Sequence, residues 1–242
     1  MANNVININL KVVVMDTDYY ALQAINSYLA WDRRTRVTCM VESTDELWMY
    51  LNRTALAEQP NVVILDADHL GGAATLQTEL ERLRRRIKKV MIFCMGRSVE
   101  MRLVETAAAY GARGYFIKSE VGSQIAWAIV YALDHDFTVS GSILRQPVDH
   151  ARLRDAAVLP KQRQYPELTG RIRQAIELCV IKGMPAQLAS DEMGISLHTI
   201  RSYIKEGYRI LEAYDETKYP DDMSPQERAF MRLTSFVKEE KK

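Results

Sequence analysis

Short apolar runs alternate with amphipathic stretches through the first 139 residues. The runs at 11–15, 62–65 and 90–93 are rich in β-branched residues and apolar on both faces, as expected of strands covered on both sides of a parallel sheet. We predict two further strands at 36–41 and 114–117. Amphipathic stretches that predict helices follow the strands, near 19–30, 44–57, 73–86, 98–109 and 122–134. Five strand–helix units in sequence predict a doubly wound α/β domain with a five-stranded parallel sheet.

The pattern changes after residue 139. Gly and Pro punctuate residues 140–166, which contain several arginines and no apolar strand, so we predict a linker there. The chain is then helical in pattern, with a Gly-Ile-Ser turn at 194–196 before a long helix that Ser196 can cap. Ser224 to Glu227 is a capping box that opens a last helix. The predicted organisation is an α/β domain at 1–139, a linker at 140–166, an all-α helix-turn-helix domain at 167–213 and an extension with a helix at 214–242.

Composition and charge narrow the class of protein. The chain is 48% hydrophobic and 26% charged, as in soluble globular proteins, and no apolar run is long enough to cross a bilayer. The start shows no export signal, and three scattered cysteines indicate neither a disulfide framework nor a zinc site. We therefore expect a cytoplasmic protein that makes no membrane contact. Residues 140–211 carry 11 Lys/Arg against 7 Asp/Glu, so the middle of the chain is mildly basic and compatible with nucleic-acid binding.

Charged residues follow the predicted central strands. Asp16 follows the first strand, Asp66 the third and Lys118 the fifth, while Cys94 closes the fourth. In an open α/β sheet these strand ends converge on one edge, where function gathers. A carboxylate beside a lysine can accept a phosphoryl group, with a divalent metal such as Mg²⁺ held weakly by Asp16 and Asp66. The alternative is a purely structural ion-pair cluster.

The segments VVVMDTDYYAL, VVILDADHLGG, VMIFCMG and GARGYFIKS resemble, in that order, the receiver domain of two-component response regulators of the NarL/FixJ type. The resemblance places Asp66 at the phosphoacceptor position, Lys118 at the invariant lysine and Asp16 in the acidic pocket. It places Tyr115 and Cys94 at the two switch positions.

This sequence departs from the family at three positions of that pocket. Thr17 replaces an acidic magnesium ligand, Cys94 replaces a phosphate-binding Thr or Ser, and Asp68 adds negative charge beside Asp66. The departures favour a degenerate receiver that acts through dimerisation or through control by a partner or ligand. The alternative is a receiver that is phosphorylated on Asp66 by a sensor histidine kinase.

Residues 168–211 resemble the LuxR-type DNA-binding domain, through GMPAQLASDEMGIS at 183–196 and HTIRSYIKEGYRIL at 198–211. A recognition helix presents its first turns to the major groove. We expect four residues to contact bases or nearby phosphates: His198, Arg201, Ser202 and Lys205. Three others are expected to contact the DNA backbone: Thr199, Tyr203 and Arg209. The alternative is a helical bundle with an ordinary solvated face.

Together these features predict a transcription regulator, not an enzyme, that binds double-stranded promoter DNA as a homodimer. No cofactor is required by the pattern, apart from the Mg²⁺ considered above. A second alternative is an adaptor whose helix-turn-helix contacts protein, including another regulatory protein, instead of DNA.

Overall fold

The structure is a computed structural model that describes residues 8–146, 153–215 and 217–237. The described residues divide into two compact units, one ending at Leu159 and the other beginning at Pro160. The boundary falls inside the segment predicted as a linker. None of the helices in these ranges is long and apolar enough to cross a membrane.

The first unit is built on a parallel sheet of seven strands, not the five predicted. The strands follow the order β2-β1-β3-β4-β5-β6-β7 across the sheet. Their bounds are β1 Leu10–Met15, β2 Thr35–Val41, β3 Val62–Asp66, β4 Met91–Gly96, β5 Gly114–Ile117, β6 Thr138–Val139 and β7 Ala157–Val158. The two additional strands have two residues each, too few to produce a recognisable apolar run.

Helices connect these strands. They are α1 Tyr19–Ala30, α2 Thr44–Arg53, α3 Ala73–Arg86, α4 Met101–Ala109, α5 Lys118–Val121, α6 Ile125–Tyr131 and α7 Gly141–Leu144. The helix predicted at 122–134 is α-helical only over Ile125–Tyr131, with 3-10 turns at Gly122–Gln124 and Ala132–Asp134. Gly122, with a φ of +43°, separates this segment from α5. All five residues of β3 are buried, as the apolar run predicts for a central strand.

The second unit is helical. It contains α8 Gly170–Ile176, which continues as a π-helical turn over Glu177–Ile181, then α9 Ala186–Met193, α10 Leu197–Tyr214 and α11 Pro225–Leu233. Gly194 ends α9 with a φ of +63°, a left-handed conformation that favours glycine. Two residues later the Ser196 hydroxyl accepts the Thr199 backbone N–H and caps α10. The turn and the long helix are those predicted from sequence.

Gly207 allows α8 and α10 to pack closely. A Cβ at this position would lie 2.5 Å from Cγ1 of Ile176 and 3.2 Å from Cγ2 of Ile172. A side chain larger than hydrogen would therefore push the two helices apart. The glycine that interrupts the apolar pattern of α10 is a packing requirement.

The C-terminal extension packs on its own unit. Phe230 and Leu233 of α11 are buried, whereas Val237 lies beyond the helix and is half exposed. The segment after α11 pairs with the segment that precedes α8: the Arg163 N–H donates to the Ser235 carbonyl at 2.9 Å, and the Val237 N–H donates to the Lys161 carbonyl at 2.8 Å.

A buried ion pair joins the segment before α8 to the end of α10. Arg163 Nη1 lies 2.8 Å from Oδ1 of Asp215, which is almost fully buried after α10. Burial raises the pKa of Asp215, but hydrogen bonds from Thr217 and Arg163 outweigh it, so this pKa lies below its ordinary value. We call this set of contacts, from Lys161 to Val237, the terminal clamp.

Candidate functional site

The parallel sheet brings Asp16, Asp66 and Lys118 together in one pocket. Asp16 follows β1, Asp66 ends β3 and Lys118 begins α5 after β5, so all three lie at the carboxyl edge of the sheet. The Lys118 Nζ is 2.7 Å from Asp16 Oδ2 and 3.2 Å from Asp66 Oδ1. Both carboxylates are buried, and the lysine side chain is 15% exposed. One ammonium therefore lies between two buried acids.

The second oxygen of Asp66 is also engaged. Oδ2 accepts a hydrogen bond from the Thr17 hydroxyl at 3.1 Å and lies 2.6 Å from Nδ1 of His69. Sequence reasoning did not include His69 among the site residues, although it lies three residues after Asp66 in the β3–α3 connection. Both Asp66 oxygens thus have positively charged or hydrogen-bonding neighbours from the chain itself.

The pKa values of the two acids move in opposite directions. Burial raises the pKa of Asp66, but the Lys118 charge and the His69 contact outweigh it, so the pKa lies below the ordinary value. Burial also raises the pKa of Asp16, and there Lys118 and the Asp18 N–H do not fully compensate, since the charge of Asp66 adds to the rise. Asp66 is consequently the more firmly ionised of the pair.

Arg97 contacts the two other acids near the pocket, Asp18 and Asp68. Its Nη2 is 3.1 Å from Asp18 Oδ2, and its backbone N–H donates to Asp68 Oδ2 at 2.6 Å. Asp18 also caps α1 by accepting the N–H of Tyr20. Asp68, predicted to add charge beside Asp66, is thus directed to the loop after β4. Arg97 follows a central strand end, and that position is the signal by which it could have been found.

The two predicted switch positions, Cys94 and Tyr115, are fully buried and lie opposite each other on β4 and β5. Burial raises the pKa of Cys94 to about 12, which keeps the thiol protonated near neutral pH. Burial and the charge of Asp68 raise the pKa of Tyr115 above its ordinary value. Gly96 provides room for the tyrosine, because a Cβ there would lie 2.7 Å from the Tyr115 hydroxyl.

The donor set of the pocket does not fit Mg²⁺. Magnesium prefers an octahedral set of oxygen ligands that includes carboxylates free to face the ion. Asp16 and Asp66 instead face Lys118, and the third position carries the Thr17 hydroxyl. Within the described ranges, no three His, Cys, Asp or Glu side chains are grouped so as to hold a metal ion.

The N-terminal half of α10 presents an open polar face. Its four predicted base or phosphate contacts are all exposed: His198, Arg201, Ser202 and Lys205. Ile200 on the opposite side is fully buried in the core of the unit, so the helix is held by its apolar side with its polar side outward.

The three residues predicted to contact the DNA backbone differ from one another. The Thr199 hydroxyl lies 2.8 Å from that of Ser196 at the helix cap, and Tyr203 is half-buried against the core. Arg209 is exposed, but both its Nε and its Nη2 donate to the carboxylate of Glu206, at 2.9 and 2.6 Å. Its guanidinium is thus partly neutralised within the helix, unlike Arg201 and Lys205 nearer the cap.

Comparison with known proteins identifies the fold. The sequence matches no protein-family model and no curated relative. Among solved structures, the chain is similar to the response regulator RcsB of Salmonella typhimurium, in a study of its conformational dynamism for DNA interaction. The TM-score is 0.50 and the identity 15%, over 88% of this chain and 95% of RcsB.

Two further structures match with lower TM-scores. One is RcsB of Salmonella enterica serovar Typhimurium bound to promoter rprA, with a TM-score of 0.46 and 15% identity over 94% of this chain and 99% of RcsB. The other is a LuxR-family two-component response regulator of Aurantimonas, with a TM-score of 0.47 and 15% identity over 57% of this chain and 94% of that one. The chain thus has the fold of a two-unit response regulator, as its sequence motifs predict.

Proposed function

We propose that this protein is a transcription regulator that binds promoter DNA as a homodimer through α10, with its receiver-like unit controlling output without phosphorylation. The observation that carries the DNA-binding part is the open face of α10. Exposed His198, Arg201, Ser202 and Lys205 follow directly on a capped helix start, which is the part of a recognition helix that enters a major groove. The likeness to RcsB, a protein studied for its interaction with DNA, supports the same function.

The second part of the proposal is that the receiver-like unit acts without phosphorylation. It rests on the contacts that Asp66 already makes inside its pocket. Phosphoryl transfer to Asp66 needs an exposed carboxylate oxygen and a cation that neutralises the incoming charge. Here Asp66 is buried, its oxygens contact Lys118, His69 and Thr17, and Lys118 is shared with Asp16. Lys118, the cation that would neutralise an incoming phosphoryl group, is already engaged by both acids. We infer that dimerisation or partner contact sets the state of this unit.

DNA binding is tested by measuring the salt dependence of affinity for genomic fragments that the protein enriches. Replacing Arg201 and Lys205 by Ala removes two exposed cations from the open face. We expect affinity at moderate salt to fall by at least about tenfold, and the slope of log K against log salt to decrease in magnitude by about 2.

A matched pair separates a groove contact from a general loss of charge. Lys161 and Lys218 are exposed in the same unit but lie outside α10, so their replacement by Ala removes the same charge. We expect that control pair to leave the slope nearly unchanged. Equal effects of both pairs, or an affinity unaffected by Arg201 and Lys205, would assign the helix-turn-helix to protein contact instead of DNA.

A phosphorylated receiver is the second candidate function, because an ammonium that can neutralise a phosphoryl group, Lys118 Nζ, lies 3.2 Å from Asp66 Oδ1 and would need only to release that contact. Incubation with acetyl phosphate and Mg²⁺, followed by intact mass measurement, distinguishes the two. The proposal expects no stable phosphoryl adduct on the wild-type chain. An adduct that disappears in Asp66→Ala would establish the second candidate.

A further inference from the structure

A basic groove lies between α2 and α3 of the first unit. Its volume is about 570 Å³, within the range of small-molecule sites. None of its lining residues belongs to the pocket around Asp66. The lining consists of Trp48 and Asn52 from α2 and of Thr78, Arg82, Arg85 and Arg86 from α3.

Arg82 is held in place at this groove by stacking. Its guanidinium carbon lies 3.8 Å from the centroid of the Trp48 ring, and its side chain is still 52% exposed. Trp48 is itself fixed, because it is buried and its indole N–H donates to Glu79 Oε2 at 2.7 Å. A stacked guanidinium loses less rotamer freedom on binding and keeps its N–H edge available. Arg82 Nη1 also lies 3.9 Å from Glu79 Oε1, so the stack and this ion pair fix the guanidinium and leave its remaining N–H donors for a ligand.

The other two arginines are anchored by one part of the guanidinium only. Arg86 Nη2 donates to the Leu51 carbonyl at 3.0 Å. Arg85 uses Nε and Nη2 on the carbonyl and carboxylate of Glu81, at 3.3 and 3.1 Å. Arg85 is therefore partly neutralised by Glu81 at an exposed ion pair, and both guanidinium groups keep further N–H donors for a ligand.

The positive charge is concentrated at this end of α3. Residues 1–139 carry 15 Lys/Arg and 16 Asp/Glu, yet six of the cations and none of the acids fall within residues 82–89. A long polyanion would extend from this segment onto surface that is not basic on average. A short ligand with several negative charges would keep all of them near the arginines. The charge distribution favours the compact ligand.

We propose that the groove between α2 and α3 binds a compact oligophosphate, that is, an anion with two or three linked phosphoryl groups. Guanidinium groups match phosphate oxygens with paired hydrogen bonds, and several phosphoryl groups can engage Arg82, Arg85 and Arg86 together. This inference is independent of the proposed DNA-binding function, since it concerns a different unit and different residues.

Calorimetric titration of the full chain with sodium pyrophosphate, in metal-free buffer at fixed salt, tests the proposal. We expect saturable binding at one site per chain. Replacing Arg82 and Arg85 by Gln should weaken it at least about tenfold, since removing one charge-assisted hydrogen bond weakens binding by a factor of roughly ten. Arg85→Gln alone, at a side chain that is 76% exposed, leaves the Trp48 stack intact and should weaken binding severalfold without affecting the fold.

The control is Lys88→Gln with Lys89→Gln, which removes the same charge just after α3 from residues that do not line the groove. We expect this pair to change affinity by less than about threefold. Equal weakening in both pairs, or no saturation by roughly 5 mM pyrophosphate, would overturn the proposal. Displacement of pyrophosphate by short duplex DNA would also overturn it, because the groove would then take a polymer backbone.

Discussion

The pocket around Asp66 and the open face of α10 both collect charged side chains, but they use the charges in opposite ways. In the pocket, Lys118 contacts both Asp16 and Asp66, so the charges of this cluster face one another. On α10, Arg201 and Lys205 are exposed, while Glu206, which follows Lys205 in the sequence, pairs with Arg209. A buried cluster whose charges face one another becomes destabilising when one partner is removed, whereas charges that face solvent are available to a ligand.

Removing Lys118 should have the largest effect of the changes that test this comparison. Lys118→Met leaves two buried carboxylates with no ammonium between them, and we expect the unit to lose about 3–5 kcal/mol of stability at neutral pH. All three tryptophans, at positions 31, 48 and 127, lie in this unit, so urea unfolding followed by tryptophan fluorescence reports on it specifically. Lys11→Met, which breaks a partly exposed pair with Glu58, should cost no more than about 1 kcal/mol.

The pH dependence of the same variants has a defined sign. In the wild type the pKa of Asp66 is depressed, so its contribution to stability is present above the ordinary pKa and is lost as pH falls through the folded value. Without Lys118, burial raises the pKa of both acids, and protonation then relieves the destabilisation. The stability difference between wild type and Lys118→Met should therefore shrink from pH 7 toward pH 4. A difference that stays constant would show that charge neutralisation is not the role of Lys118.

Gly207→Ala should have an intermediate effect on stability. Gly207 lies on the buried side of α10, opposite the open polar face. Alanine favours helix by about 1 kcal/mol over glycine, but the new Cβ would collide with Ile176, and we expect a net loss of about 1–3 kcal/mol. Thermal unfolding followed by circular dichroism measures it. Gly170→Ala is the control, since a Cβ there meets nothing within 4 Å and should be neutral or stabilising. Similar behaviour of the two variants would refute the close packing.

Glu206→Gln should have the smallest effect and would sharpen the contrast along α10. It releases Arg209 from its paired hydrogen bonds and removes a negative charge beside Lys205. We expect DNA affinity to increase about two- to fivefold at low salt, and less at high salt. Glu192→Gln, an exposed acid on α9, is the matched control for net charge. A decrease in affinity would instead indicate that Glu206 itself contacts the DNA.

The sequence predicted the parts of the fold that rest on repeating patterns. The apolar runs of β1 and β3 and the Gly194–Ser196 turn before α10 are confirmed, because local periodicity and capping determine them. The contact of Asp66 with Lys118 also follows from their strand-end positions, once the sheet is taken as parallel.

The remaining features depend on contacts between distant residues. The two-residue strands β6 and β7 exist only because the sheet edge pairs with them. The contacts of His69 with Asp66 and of Arg97 with Asp18 and Asp68 depend on side-chain directions in loops, which no local pattern encodes. The need for glycine at position 207 is also set by a distant residue, because it arises from contact with Ile176 of α8.

The terminal clamp ties the beginning of the helical unit to its end. The strand-like segment at Lys161–Arg163 and the segment at Ser235–Val237 hold each other by backbone hydrogen bonds, and Arg163 also pairs with the buried carboxylate of Asp215. Loosening the beginning of the unit therefore also frees its end, so the helices between them cannot fray from either terminus independently. A force that pulls on Lys161 would therefore have to break the clamp contacts before it could unfold the turn that precedes α10.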